Sequence, residues 1–229
     1  MPRSKRNRVV TLSKVKKSDA KDKKDDLIEK IQDAVENHKY CFVLNVENQR
    51  NELLKEVRAF FSKQQDGKKG VLFMGNNNIM RLALGNSVEN EIFEKISHLA
   101  EKIQNECALL CCDMEPSEVQ RFFMEFQRET FARAGLVPSE QFVIPKGELA
   151  LPFSMEQHLR SLGLPTILKD GKIQMLSDYT VCTPTKPLTV DQCQLLKLFE
   201  QKLALFRMQP IGVWSKEGAS YRNINAPTK

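Results

Sequence analysis

The stretch "CALLCC", residues 107–112, decides the fold. It carries no charge, it is bounded by Glu106 and Asp113, and it is apolar on both of the faces that alternate along a strand. Such a segment reads as a strand covered on both sides, so helices must pack above and below it. "YCFVLNV" (40–46) and the run 70–74 have the same texture.

The intervening segments supply the helices. Leu27, Ile28, Ile31, Ala34 and Val35 fall on one stripe at helical spacing, which predicts a helix opening at Asp25 or Asp26. Leu53, Leu54, Val57, Phe60 and Phe61 repeat the pattern over about 49–64. Ile92, Ile96, Leu99 and Ile103 predict a helix leading into 107–112. Pro116 suits a first helical position, with Val119, Phe122, Phe123 and Phe126 on one face.

From about residue 130 the texture changes. Most of the ten prolines lie between there and Pro187, the strands are short, and one helix (about 154–162) interrupts them. "ILKDGKIQML" predicts a hairpin turning at Asp170-Gly171. Thr189 caps a helix carrying Leu195, Leu196, Phe199 and Leu203, and "LFRMQPIGVW" returns as a strand. The fold class expected is therefore α/β: a layered domain formed by both ends of the chain, with a smaller inserted α+β domain. The boundaries expected are a basic arm (1–24), the first part of the α/β domain (25–129), the insertion (130–188), the return (189–215) and a tail (216–229).

Charge is unevenly placed. Residues 1–24 hold ten Lys/Arg and two Asp/Glu, whereas the rest of the chain holds 25 and 27. The net +6 therefore rests on the arm, whose basic side chains at Arg3, Lys5, Arg6, Arg8, Lys14, Lys16 and Lys17 suit phosphates and a nuclear import signal. No apolar run approaches the roughly 18 residues of a membrane span, and the polar start predicts a protein that is not secreted. The six cysteines lie mostly in apolar runs without a C-x-x-C pair, which predicts reduced, buried thiols in a cytosolic or nuclear compartment.

Catalytic signatures are missing. Gly67-Lys68-Lys69-Gly70 does not complete a phosphate loop, and there is neither G-x-G-x-x-G, G-x-S-x-G nor H-E-x-x-H. His38, His98 and His158 have no partner at ligand spacing. Glu115 and Glu118 suit a helix N-terminus better than acid–base chemistry. These absences predict a non-enzymatic protein with no cofactor and no metal.

What the chain offers instead is "FMGNNNIMRLALG", residues 73–85, where an apolar strand meets a short helix through Gly75, Asn76, Asn77 and Asn78. A helix start leaves unpaired backbone N–H groups, glycine admits a close approach, and asparagine either caps the helix or reads RNA edges and 2′-hydroxyls. Arg81 follows on the same helix, with Lys68 and Lys69 before the strand and Arg50, Lys55 and Arg58 along the preceding helix. The alternative is an ordinary strand-to-helix turn with an asparagine cap.

"MPRSKR", "NQRNELLKEVR", "VLFMGNNNIMRLALG", "FARAG", "SMEQHLRSLGLPTILKDGKIQMLSDYTVC" and "LTVDQCQLLKLFEQKLALFRMQPIGVW" together resemble the ribosomal stalk-base family (acidic P-zero, or L-ten). Across nearly the whole chain they are similar to its nucleolar paralogues, the mRNA-turnover ribosome assembly factors. The resemblance implies a two-domain α/β protein of the nucleus and nucleolus, with possible shuttling to the cytoplasm. It would bind large-subunit rRNA at the stalk base in pre-60S particles and hold that site until the mature stalk-base protein replaces it. It also implies that Gly75, Asn77 and Arg81 face the RNA, with Arg50, Lys55 and Arg58 as further contacts. Ribosomal members commonly have lysine where Asn76 stands. The fifteen residues after Trp214 leave no room for the family's stalk-dimer-binding helices, so neither stalk dimers nor a membrane is expected as a partner. The alternative within the family is a structural stalk-base protein of the large subunit.

Overall fold

The computed structural model describes residues 17–63, 69–87 and 89–224. The chain forms two compact units. The first comprises residues up to Asn45, Leu54–Phe122 and Gln209 onward; the second comprises Val46–Leu53 and Phe123–Met208.

In the first unit, α1 (Lys17–Asn37) leads into β1 (Tyr40–Glu47), followed by α2 (Asn51–Lys63), β2 (Gly70–Phe73), α3 (Asn77–Leu84), α4 (Ser97–Glu101), β3 (Cys107–Cys112) and α5 (Pro116–Glu125). The strands β10 (Ala204–Ser215) and β11 (Ser220–Asn223) complete the sheet, whose order is β11-β10-β1-β3-β2. As "CALLCC" requires, all six residues of β3 are buried. Its register places Cys41 opposite Cys111, Val43 opposite Leu109 and Phe42 opposite Leu110, and both β1 and β2 pair with it antiparallel. One face of the sheet, with Cys41, Val43, Leu109 and Cys111, joins Ile31 and Val35 of α1, Met80 and Leu84 of α3, Leu99 of α4 and Trp214 in one cluster. By strand alternation Phe42, Leu72 and Leu110 face the other way, and they are buried too. Gly70 is dictated by this packing, because a Cβ there would lie 2.7 Å from Cys112 Cβ.

The second unit adds β4 (Arg128–Thr130), β5 (Phe142–Ile144), β6 (Gly147–Leu149), α6 (Glu156–Ser161), β7 (Thr166–Lys169), β8 (Lys172–Met175), β9 (Tyr179–Cys182) and α7 (Val190–Leu198). β6, β8 and β7 form a three-stranded sheet and β5 pairs with β9, around a core of Ile144, Leu159, Ile173, Val181, Leu195 and Leu196. The hairpin turns where the sequence places it, with φ of 52° at Asp170 and 75° at Gly171. Thr189 Oγ1 accepts from the Gln192 N–H at 3.3 Å while Gln192 Oε1 accepts from the Thr189 N–H at 2.8 Å, a complete capping box.

Three helix expectations are corrected. α1 begins by Lys17 rather than at Asp25, since "KSDAKDKK" contains good helix formers and neither Gly nor Pro to stop propagation from the anchored turns at Ile31 and Val35. The expected helix over 92–103 is reduced to α4, because Lys95 takes a left-handed φ of 63° and Glu91 draws the next N–H groups out of helical pairing. α7 ends at Leu198, short of Leu203, where Glu200 turns to a φ of 55°.

Candidate nucleic-acid interface

The asparagine stretch lies where β2 hands over to α3. Asn76 is the N-cap, extended at φ −68° and ψ 127°, and its Oδ1 accepts from the Asn78 N–H at 2.9 Å. Gly75, Asn76 and Asn78 are exposed. Gly75 does not adopt a positive φ, and a Cβ there would meet only the flexible end of Leu27, with Cδ2 at 3.0 Å. Gly75 is therefore not required by a left-handed backbone angle, while the asparagine cap of the alternative reading is present at Asn76. The glycine that shapes α3 is Gly85, whose φ of 101° ends the helix and whose Cβ would fall 2.5 Å from Asn90 O.

The two remaining α3 residues are tied to the segment before β3. Asn77 Nδ2 donates to the Asn105 carbonyl at 2.8 Å. Arg81 Nη2 donates to the Ile103 carbonyl, and Arg81 Nε is buried without a partner. Arg81 is thus a clamp between α3 and the chain after α4 as well as a positive charge at the surface. The Gly85–Glu91 turn beside it is closed by Glu91, whose carboxylate accepts from Ser97 Oγ at 2.8 Å and from the N–H groups of Lys95 and Ser97. The Ser97 hydroxyl chiefly, with those N–H groups, holds the Glu91 carboxyl below its ordinary value.

Elsewhere in the first unit Lys55 of α2 and Lys69, immediately before β2, are exposed, as is Arg58, with Nε 3.4 Å from the Leu72 carbonyl of β2. Arg58 therefore stands beside the strand that feeds the loop. Arg50 belongs to the second unit and precedes α2 rather than lying on it. Its Nε donates to Thr130 Oγ1 at 3.0 Å and its Nη2 to the Phe131 carbonyl. Burial first, then the Arg133 charge, lowers its pKa against an opposing effect of Glu52. Lys68 and the arm residues Arg3, Lys5, Arg6, Arg8, Lys14 and Lys16 lie outside the described residues, and Lys17 opens α1.

Three residues that sequence reasoning passed over complete the surface. Asn86, Glu101 and Gln104 join Asn78, Arg81 and Ala100 around an open groove of about 520 Å³. Only Gly85, as a helix stop, hinted that Asn86 would turn back toward α3; Glu101 and Gln104 carry no local signal.

The cysteines are structural. Cys41 and Cys111 meet at 3.4 Å between sulfurs, and that contact, together with burial, raises the Cys41 pKa. Burial pushes Cys112 up to about 12. Thiols held protonated in this way are poor nucleophiles. Among the described residues no three His, Cys, Asp or Glu side chains converge as a metal site would require.

An antiparallel-paired sheet with packed helices, an α+β insertion, and an amide-rich helix start at the surface describe a two-unit α/β protein with a polar surface loop and no catalytic constellation among the described residues. Residues 19–128 match the family described as Ribosomal protein L10, and residues 132–200 match the insertion domain described for the 60S ribosomal protein of the same family. The chain is 34% identical to the ribosome assembly factor mrt4 of Dictyostelium discoideum, over 95% of each chain. It is also 34% identical to the ribosome assembly factor mrt4 of Schizosaccharomyces pombe, over 96% of this chain and 94% of that one. It is 27% identical to the large ribosomal subunit protein uL10 of Sulfolobus acidocaldarius, over 75% of this chain and 49% of that protein. The chain belongs to the L10 family, in the branch of the ribosome assembly factors named mrt4. Neither name describes an enzyme, in keeping with the absence of catalytic motifs.

Proposed function

We propose that this protein is a ribosome biogenesis factor of the large subunit that acts by occupancy. It binds rRNA at the stalk base in nuclear and nucleolar precursor particles and holds the site until the mature stalk-base protein replaces it. The single observation that carries this reading is the near-complete alignment with ribosome assembly factors, over 94% or more of both partners. The surface supports it physically: Gly75, Asn76 and Asn78 present a helix N-terminus and amides to solvent, with Arg58, Lys55 and Lys69 supplying charge for phosphates. The basic arm adds a sequence-independent attraction to the same kind of polymer.

The rival reading, a stalk-base protein that remains in translating ribosomes, has support in the uL10 similarity. Sedimentation separates the two. A tagged chain is expected with large-subunit precursors and not with polysomes, and a purified chain is expected to bind a transcript of the stalk-base rRNA. Stoichiometric recovery from polysomes would overturn the assembly reading in favour of its rival.

A further inference from the structure

The groove beside α3 has a chemistry that phosphate binding does not explain. Of its lining residues, Glu101 is exposed and offers only acceptors, while Arg81 offers only donors. A phosphate would be repelled by Glu101, and a second carboxylate would be no better. The occupant must present donors to Glu101 and acceptors to Arg81. The amides of Asn78, Asn86 and Gln104 supply both kinds of group around it, and buried Ala100 supplies a small apolar contact.

Among the RNA bases, guanine meets this pattern best. Its N1–H and N2–H groups lie side by side for two carboxylate oxygens, and its O6 and N7 face the other way as acceptors, the pair that arginine commonly reads. Adenine would set its N1 lone pair against the carboxylate, and uracil and cytosine each bring one donor group to that edge. A groove of about 520 Å³ falls within the size range of small-molecule sites and leaves room for a purine with its ribose. Arg81 is held in place for this role by its bond to the Ile103 carbonyl, and Asn78 by the turn that Asn76 caps.

We propose that the groove lined by Asn78, Arg81, Glu101 and Gln104 receives one unstacked guanine of the bound RNA, and so reads sequence where the neighbouring lysines and arginines read only charge. This inference rests on the rRNA reading above. Single-stranded loops are where a base can leave the stack and expose its edges.

The test is a cycle of binding measurements with the full chain and the stalk-base transcript, each unpaired guanosine being replaced in turn by adenosine. One replacement is expected to weaken binding by the wild-type chain on the order of tenfold, the scale of a single base contact. With Glu101→Gln, an isosteric change at an exposed position, the same replacement is expected to lose its penalty, to less than about twofold, because the amide oxygen accepts from only one of guanine's two donors while the whole amide can pair with adenine. If no single replacement matters, or if the loss is as large in Glu101→Gln, the guanine site is overturned while rRNA binding stands. If the wild-type chain does not bind the transcript at all, the rRNA reading fails and the inference fails with it.

Discussion

At the scale of single residues, Gly75 and Arg81 exchange the roles that their chemistry first suggests. Glycine at a strand-to-helix junction invites an argument from backbone freedom, yet Gly75 has no positive φ and faces only Leu27 Cδ2. Gly75→Asp is therefore expected to leave thermal stability nearly unchanged while weakening RNA binding, because it sets a carboxylate where a phosphate would approach the helix start. Measuring the melting temperature and the affinity on one preparation checks this; full affinity in a folded variant would show that the asparagines only cap α3. Arg81 behaves in the opposite sense. Arginine on a short surface helix suggests a ligand for RNA alone, but its bond to the Ile103 carbonyl makes it part of the scaffold as well as a donor to the groove. Arg81→Ala is expected to cost about 1–3 kcal/mol of stability by leaving that carbonyl without its charged donor. The urea midpoint reads this directly, and an unchanged midpoint would remove the clamp.

At the scale of elements, the caps decide where helices begin. Thr189→Ala removes the oxygen that accepts from Gln192 and is expected to destabilise the second unit by about 0.5–2 kcal/mol, whereas Thr189→Ser retains the hydroxyl and most of the stability. Equal melting temperatures for the two variants would count against the cap. Glu91 organises the approach to α4, and its folded pKa is depressed below the ordinary 4.5. A depressed carboxylate contributes stability that is present above its unfolded pKa and is lost as pH falls through the folded value. Glu91→Gln is thus expected to flatten the acid side of the stability profile below about pH 4.5, which acid titrations of the two proteins would show. The difference between these helices explains what a reader of the sequence can and cannot see. The Thr189 box and the Asp170-Gly171 hairpin are closed by neighbours within three residues, so their residue types announce them. The truncation of α4 depends on a left-handed Lys95, which nothing in "EIFEKISHLA" requires. The partners of Arg50 and Arg81 lie 80 and 22 residues away, so the type of residue was legible at each position and its occupation was not.

At the scale of the whole molecule, charge placement gives the remaining expectation. Residues 1–16 carry six Lys/Arg and no Asp/Glu, and removing them leaves α1 from Lys17 intact. If that segment contacts about three phosphates, the log–log dependence of RNA affinity on salt should become shallower by about 2 on its deletion. An unchanged slope would restrict the segment to nuclear import, which a fluorescent fusion can follow separately. The layered fold itself was legible because uncharged runs such as "CALLCC" permit few alternatives to a doubly covered strand.

The position of β1 between β10 and β3 has a consequence for synthesis. A ribosome making this chain releases β1, β2 and β3 well before β10, and nearly all of the inserted unit emerges in between. Throughout that interval β1 pairs on one side only, and its other edge presents the buried sequence "YCFVLNVE" with open backbone groups, a template for unwanted pairing. The first unit therefore cannot close vectorially; its last central strand arrives after the insertion has been made. Nascent chains paused before Ala204 should accordingly engage chaperones and aggregate when freed, and chains extended through Ser215 should not, which ribosome-bound intermediates of the two lengths would reveal. A protein that attends the assembly of ribosomes is itself exposed to misassembly until β10 has left one.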